Sequence, residues 1–107
     1  MDAGKLKHRV TVMRAVLMPL PGGSYAESYE AFAAGWAAIR RTAGADGTLT
    51  GQRVERSRYR LTLRARGGLR DAARILWGDR VLRVVAVDEA LDAGRYLHFT
   101  VEEERGR

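Results

Sequence analysis

Cysteine is absent from the 107 residues, which excludes disulfides, thiolate catalysis, zinc fingers and iron–sulfur ligation. Histidine occurs only as His8 and His98, and no His, Asp or Glu residues fall at metal-ligand spacing. No metal and no cofactor is therefore expected. Long hydrophobic runs are missing as well. The longest, residues 31–39, is broken by Gly35 and reaches about half the roughly 20 residues a membrane helix needs. The opening MDAGKLKHRV has no apolar stretch of the kind a secretory signal carries. Lysine is scarce too, since 17 of the 19 cations are arginine.

What is present is an ordinary globular composition, 46% apolar and 30% charged, which excludes disorder throughout. The length suits one domain, taken here as residues 1–107. The net charge of +6 allows nucleic-acid, anionic-surface or acidic-protein partners without choosing among them. Arginine over lysine favours forked contacts to carboxylates and phosphates, although a GC-rich coding genome gives the same bias.

Strand patterns dominate. Residues 8–14 (HRVTVMR) alternate, with Val10 and Val12 on one face. Residues 59–66 (YRLTLRAR) alternate most cleanly, placing Tyr59, Leu61, Leu63 and Ala65 inward. Arg58, Arg60, Thr62, Arg64 and Arg66 take the other face. Residues 33–41 read as a strand around Trp36 and Ile39, with Trp36 in the core. Residues 74–77, a Gly78-Asp79 turn and residues 80–89 form a hairpin-like step, the second strand apolar on both faces. Residues 95–103 put Leu97, Phe99 and Val101 on one side. Proline and glycine mark residues 19–31 as a long loop. Residues 42–52 read as a second, ending in a helical turn over 53–57. A further helical turn is expected near 69–73, and residues 104–107 should fray. The fold class is mainly β: a small single-domain barrel of five to six short strands, two long loops and one or two helical turns.

Catalysis finds little to work with. His98 reads as an exposed strand histidine. The carboxylate clusters, Asp88-Glu89 and Glu102 to Glu104, place neighbours on opposite strand faces rather than in an acid–base pair. The paired glycines at 22–23 and 67–68 lack a phosphate-loop context. No enzyme is expected. The sharpest charge feature is the stripe Arg58, Arg60, Arg64 and Arg66, which suits phosphates, an acidic partner or a solvated strand face. No exposed aromatics interleave with it for base stacking.

The order of these segments resembles the phage head–tail adaptor family, the head-closure or stopper proteins of long-tailed phages and gene transfer agents. Residues 4–12 (GKLKHRVTV) are similar to the family's GxLxHRVTI opening. Trp36-Ala37-Ala38-Ile39 resembles its W-A-x-I strand, and residues 58–64 (RYRLTLR) its H-x-I-x-I-R strand. Residues 68–84, from Gly68-Leu69 through Trp77-Gly78-Asp79 to Val84, match a further block. The resemblance spans nearly the whole chain, departing at residues 33–35 and in the length of 42–52.

It implies a structural neck protein of a virion or phage-like particle, assembled in the bacterial cytoplasm. A hexameric or dodecameric ring would join a portal-bound adaptor to the tail terminator or tube, and packaged double-stranded DNA would pass through. By resemblance, residues 42–52 are the channel or gating loop, with Thr42, Gly44, Asp46, Gly47, Leu49 and Gly51 as candidates. Arg58, Arg60, Arg64 and Arg66, set against Glu102, Glu103 and Glu104, are candidate ring-interface or partner charges. The alternative is a free-standing nucleic-acid-binding barrel using the 58–66 face.

Overall fold

In the computed structural model, residues 6–42, 45–49, 52–89 and 94–105 are described. They form seven strands: β1 (His8–Pro19), β2 (Tyr25–Arg41), β3 (Ala45–Leu49), β4 (Gln52–Arg64), β5 (Arg74–Trp77), β6 (Arg80–Glu89) and β7 (Tyr96–Arg105). A single 3-10 turn, Leu69–Asp71, precedes β5 where a helical turn was expected. All pairings are antiparallel. The sheet runs β2-β1-β5-β6-β7-β4-β3, and a further β2–β4 pairing joins its ends. Six strands thus close into a ring, with β3 appended outside it as the partner of β4. The expected mainly β class and closed architecture hold.

Period-two alternation fills the interior. Val10, Val12, Leu61, Leu63, Ile75, Leu82, Phe99 and Val101 are each at most 2% exposed. Burying side chains of this size contributes about 1.5–3 kcal/mol apiece. The 3-10 turn adds Leu69 and Ala72 to the same cluster. Ile39, Val84 and Trp77 are partly buried against it.

Three expectations about strand extent fail. Residues 19–31 are not a long loop: β1 runs to Pro19 and β2 starts at Tyr25, paired from Pro19↔Tyr25 to Arg14↔Glu30. The connection is the short turn around Gly22 and Gly23, both at positive φ, with Leu20 N–H donating to the Ser24 carbonyl at 2.8 Å. The second expected loop, 42–52, contains a strand instead, because Ala45–Leu49 pairs with Gln52–Arg56, which also removes the helical turn at 53–57. The tail does not fray from 104, since Glu104 and Arg105 pair with Arg56 and Glu55. Residues 106–107 lie outside the described residues. The strands are also longer than expected, 17 residues in β2.

Two arms therefore leave the ring. In the first, β1 and β2 continue beyond a bulge at Val12/Met13, where Phe32 is the extra residue. A bulge at a barrel rim bends the strand and ends one pairing pattern. Phe32 packs inward against the core while Arg14 lies 5.5 Å from its ring centroid. The second arm is the β3–β4 hairpin. With them the radius of gyration is 15.6 Å, above the roughly 13 Å of a compact chain this long.

Trp36 is not in the core. It is 53% exposed on the outer face, opposite Arg9, whose guanidinium stands 5.6 Å from the ring. Its neighbours Gly35 and Ala37 point inward instead and are buried. A side chain at Gly35 would meet the Arg66 guanidinium at 2.9 Å, so the glycine marks a close approach rather than a break in the strand. Trp77 is packed edge-on against His8 and Tyr59, with centroids 5.5 and 5.7 Å away. Acrylamide should accordingly quench the fluorescence of a Trp77→Phe variant much more than that of Trp36→Phe. Equal quenching of the two would contradict these placements.

Candidate functional site

The outer face of the ring around β4 gathers most of the singled-out charges. Outward positions on β4 are Arg58, Arg60, Thr62 and Arg64; those on β7 are Glu102, Thr100, His98 and Tyr96, in direct register. Arg58 and Glu102, expected to meet a neighbouring protomer, meet each other. Arg58 Nε donates to Glu102 Oε2 at 3.2 Å, and its Nη2 bonds the same oxygen. Arg83 Nη2 donates to the other carboxylate oxygen at 2.8 Å. Glu102 is buried between the two arginines, so three strands are tied across one carboxylate. Sequence reading missed Arg83 because its register against β7 is a property of the sheet. Glu103 points the other way and is also buried, with Arg80 Nε 4.0 Å from it.

The remaining stripe arginines are used differently. Arg66 donates to the carbonyl of Ala34 across the barrel wall. Arg64 lies 5.9 Å from the Tyr96 ring. Arg60 stands opposite Arg40 on β2, a like-charge cross-strand pair. Glu104 is placed in β7 opposite Arg56. Of the candidate loop residues, Asp46, Gly47 and Leu49 sit in β3, whereas Gly44 and Gly51 lie outside the described residues. Thr42 anchors the end of β2, its N–H donating to the Arg58 carbonyl at 2.8 Å and its hydroxyl to the same oxygen at 3.1 Å.

His98 is half-buried rather than exposed, and it shares a 2.8 Å hydrogen bond between its Nδ1 and the Thr62 hydroxyl. Burial lowers its pKa below the ordinary histidine value, helped by Arg60 and Arg40 and opposed by Asp88. Folding thus favours neutral His98. Its contribution is present above the unfolded-state pKa of about 6.5 and is lost as pH falls through the lower folded value. Thermal melts from pH 7.5 to 5 should show a decline that a His98→Gln variant lacks. Parallel curves for the two proteins would contradict the assignment.

Four of the large exposed apolar residues, Leu17, Met18, Leu20 and Tyr25, cluster at the tip of the β1–β2 arm. Scattered exposed apolar side chains are normal, but four gathered at one tip make it a candidate interaction surface. Among the described residues no group of three or more His, Asp or Glu could hold a metal ion.

These features define a class: a closed antiparallel barrel with two projecting hairpins. A profile of the phage head completion protein family matches residues 1–104, and the chain belongs to that family. Membership makes it a structural component of a phage or phage-like particle. The fold is similar to a chain of the native gene transfer agent particle virion, with a TM-score of 0.72 and 24% identity, covering 89% of this chain and 92% of that one. It is also similar to a Shigella flexneri 2a protein solved in solution, with a TM-score of 0.71 and 19% identity over 100% of both chains. No curated protein matches by sequence.

Proposed function

We propose that the chain is the head-closure, or stopper, protein of a phage or gene transfer agent neck. Copies form a hexameric or dodecameric ring between the portal-bound adaptor and the tail terminator or tube, and packaged DNA passes through it. The observation that carries this reading is the head completion family match over residues 1–104, on a barrel whose two arms reach beyond its own core. Each arm has a part. The β1–β2 arm, apolar at its tip, docks on a neighbouring protein. The β3–β4 arm is the channel element, carrying Asp46, Gly47 and Leu49 on its first strand. Across the paired segments of this hairpin Asp46 and Glu55 balance Arg53 and Arg56, so the arm is near neutral, which suits a plug that must release DNA.

The nucleic-acid-binding alternative has less support. Three of its four stripe arginines are occupied: Arg58 by Glu102, Arg66 by a backbone carbonyl and Arg64 by the Tyr96 ring. Ring closure consequently has Arg60 rather than the whole stripe to offer.

Omitting the chain from an assembling particle system should leave DNA-filled heads that do not join tails, and adding the purified protein should restore joined particles. Normal joining without it would overturn the proposal.

A further inference from the structure

A cavity of about 600 Å³ lies outside the residues assigned to arms or channel. It is lined by Lys7 and His8 at the start of β1, Ala38, Ile39 and Arg40 on β2, Arg60 and Thr62 on β4, and His98 on β7. Three permanent positive charges surround it, and no carboxylate is among its lining residues.

Its construction costs stability. Arg40 and Arg60 are direct cross-strand partners on the seam that closes the barrel. Like charges in that relation repel, which disfavours the pairing. Elsewhere on the same outer face the problem is solved internally, since Arg58 and Arg83 flank Glu102. Among the described residues, neither Arg40 nor Arg60 has an ion pair. Asp88 faces His98 from β6 but is not part of the lining. An uncompensated arginine pair in a concave site is complementary to an anion supplied from outside.

We propose that this pocket binds an acidic segment of a protein partner, its Asp or Glu carboxylates bridging Arg40 and Arg60. Protein is favoured over a nucleic-acid backbone by what surrounds the pocket. Duplex binding draws on a track of several phosphate contacts, whereas here the next cations along β4 are engaged by Glu102 and by the Tyr96 ring. Ala38 and Ile39 supply an apolar floor for the residues between the acids. Lys7 extends the positive rim. The inference does not depend on the neck reading.

The test uses the full chain and a capped penta-glutamate peptide at low salt, followed by NMR. Saturable shifts are expected at residues 7–8, 38–40, 60–62 and at His98. The pKa of His98 should rise on binding, because peptide carboxylates offset Arg60 and Arg40, the cations that face it, while Asp88 and the Thr62 hydrogen bond stay as they are. Arg40→Gln and Arg60→Gln should each weaken the peptide about tenfold or more. Each should also keep or raise the thermal midpoint, since repulsion is relieved. Three results would overturn the proposal. The first is no saturable shift at these residues. The second is tighter binding of a short DNA duplex than of the peptide at the same residues. The third is a lowered midpoint in both variants, which would make the arginines part of the fold's support.

Discussion

Leu63→Asp should lower the stability of the fold by about 4 kcal/mol or more. Leu63 is 2% exposed, pairs with Ala37 on β2 and Leu97 on β7, and so sits at the seam where the ring closes. The nearest guanidinium, that of Arg66, already donates to the Ala34 carbonyl, and burying a carboxylate with no partner of its own is among the few single changes that cost about 4 kcal/mol. That is a large share of the roughly 5–15 kcal/mol a domain has in total. Leu17→Asp, on a residue 63% exposed in the β1–β2 arm, should shift the midpoint by about 0.5 kcal/mol or less. Chemical denaturation of both variants checks the pair. A normal midpoint for Leu63→Asp would mean that β4 presents its other face to the core.

The second large effect is on DNA retention. Deleting residues 47–54 and joining Asp46 to Glu55 through an Asn-Gly turn shortens the β3–β4 arm without touching the six-strand ring. Asn-Gly suits a two-residue hairpin because both positions accept positive φ. The monomer should fold with an unchanged circular dichroism spectrum. Particles assembled with it should lose packaged DNA, read as a several-fold drop in nuclease-protected DNA per head. Full protection would place the closing element elsewhere in the neck, the β1–β2 arm included.

How legible this was from sequence differs by element. The inward faces of β1, β4 and β7 were plain because Val10/Val12, Tyr59/Leu61/Leu63 and Leu97/Phe99/Val101 alternate with polar residues, and one-sided burial writes that pattern. The outer half of β2 was not. Residues 25–31 (YAESYEA) belong to a two-stranded arm with mostly solvated faces, so no burial imposes a period, and strand was mistaken for loop. At residues 35–37 the cue was reversed, because the small Gly35 and Ala37 face in while the large Trp36 faces out. Size is a poor guide where a partner strand leaves no room.

The charges show the same limit. Glu102 reads from sequence as a charge for a neighbouring protomer because its own counterions, Arg58 and Arg83, lie 44 and 19 residues away. The Arg40–Arg60–His98 pocket draws on three strands that only barrel closure brings together. Arg60 was singled out for its stripe; Arg40 had no pattern to distinguish it. By contrast the family was legible, because its signal is the order of weak segments along the whole chain, and the match to residues 1–104 covers that same span.

Electron microscopy of the assembled particle, focused on the neck, tests the central proposal most directly. The expected map shows this barrel repeated in a closed ring between the portal-bound adaptor and the first tail ring, with the β3–β4 arms turned toward the central channel. A neck without this chain, or the chain located on the outer capsid surface, would contradict it.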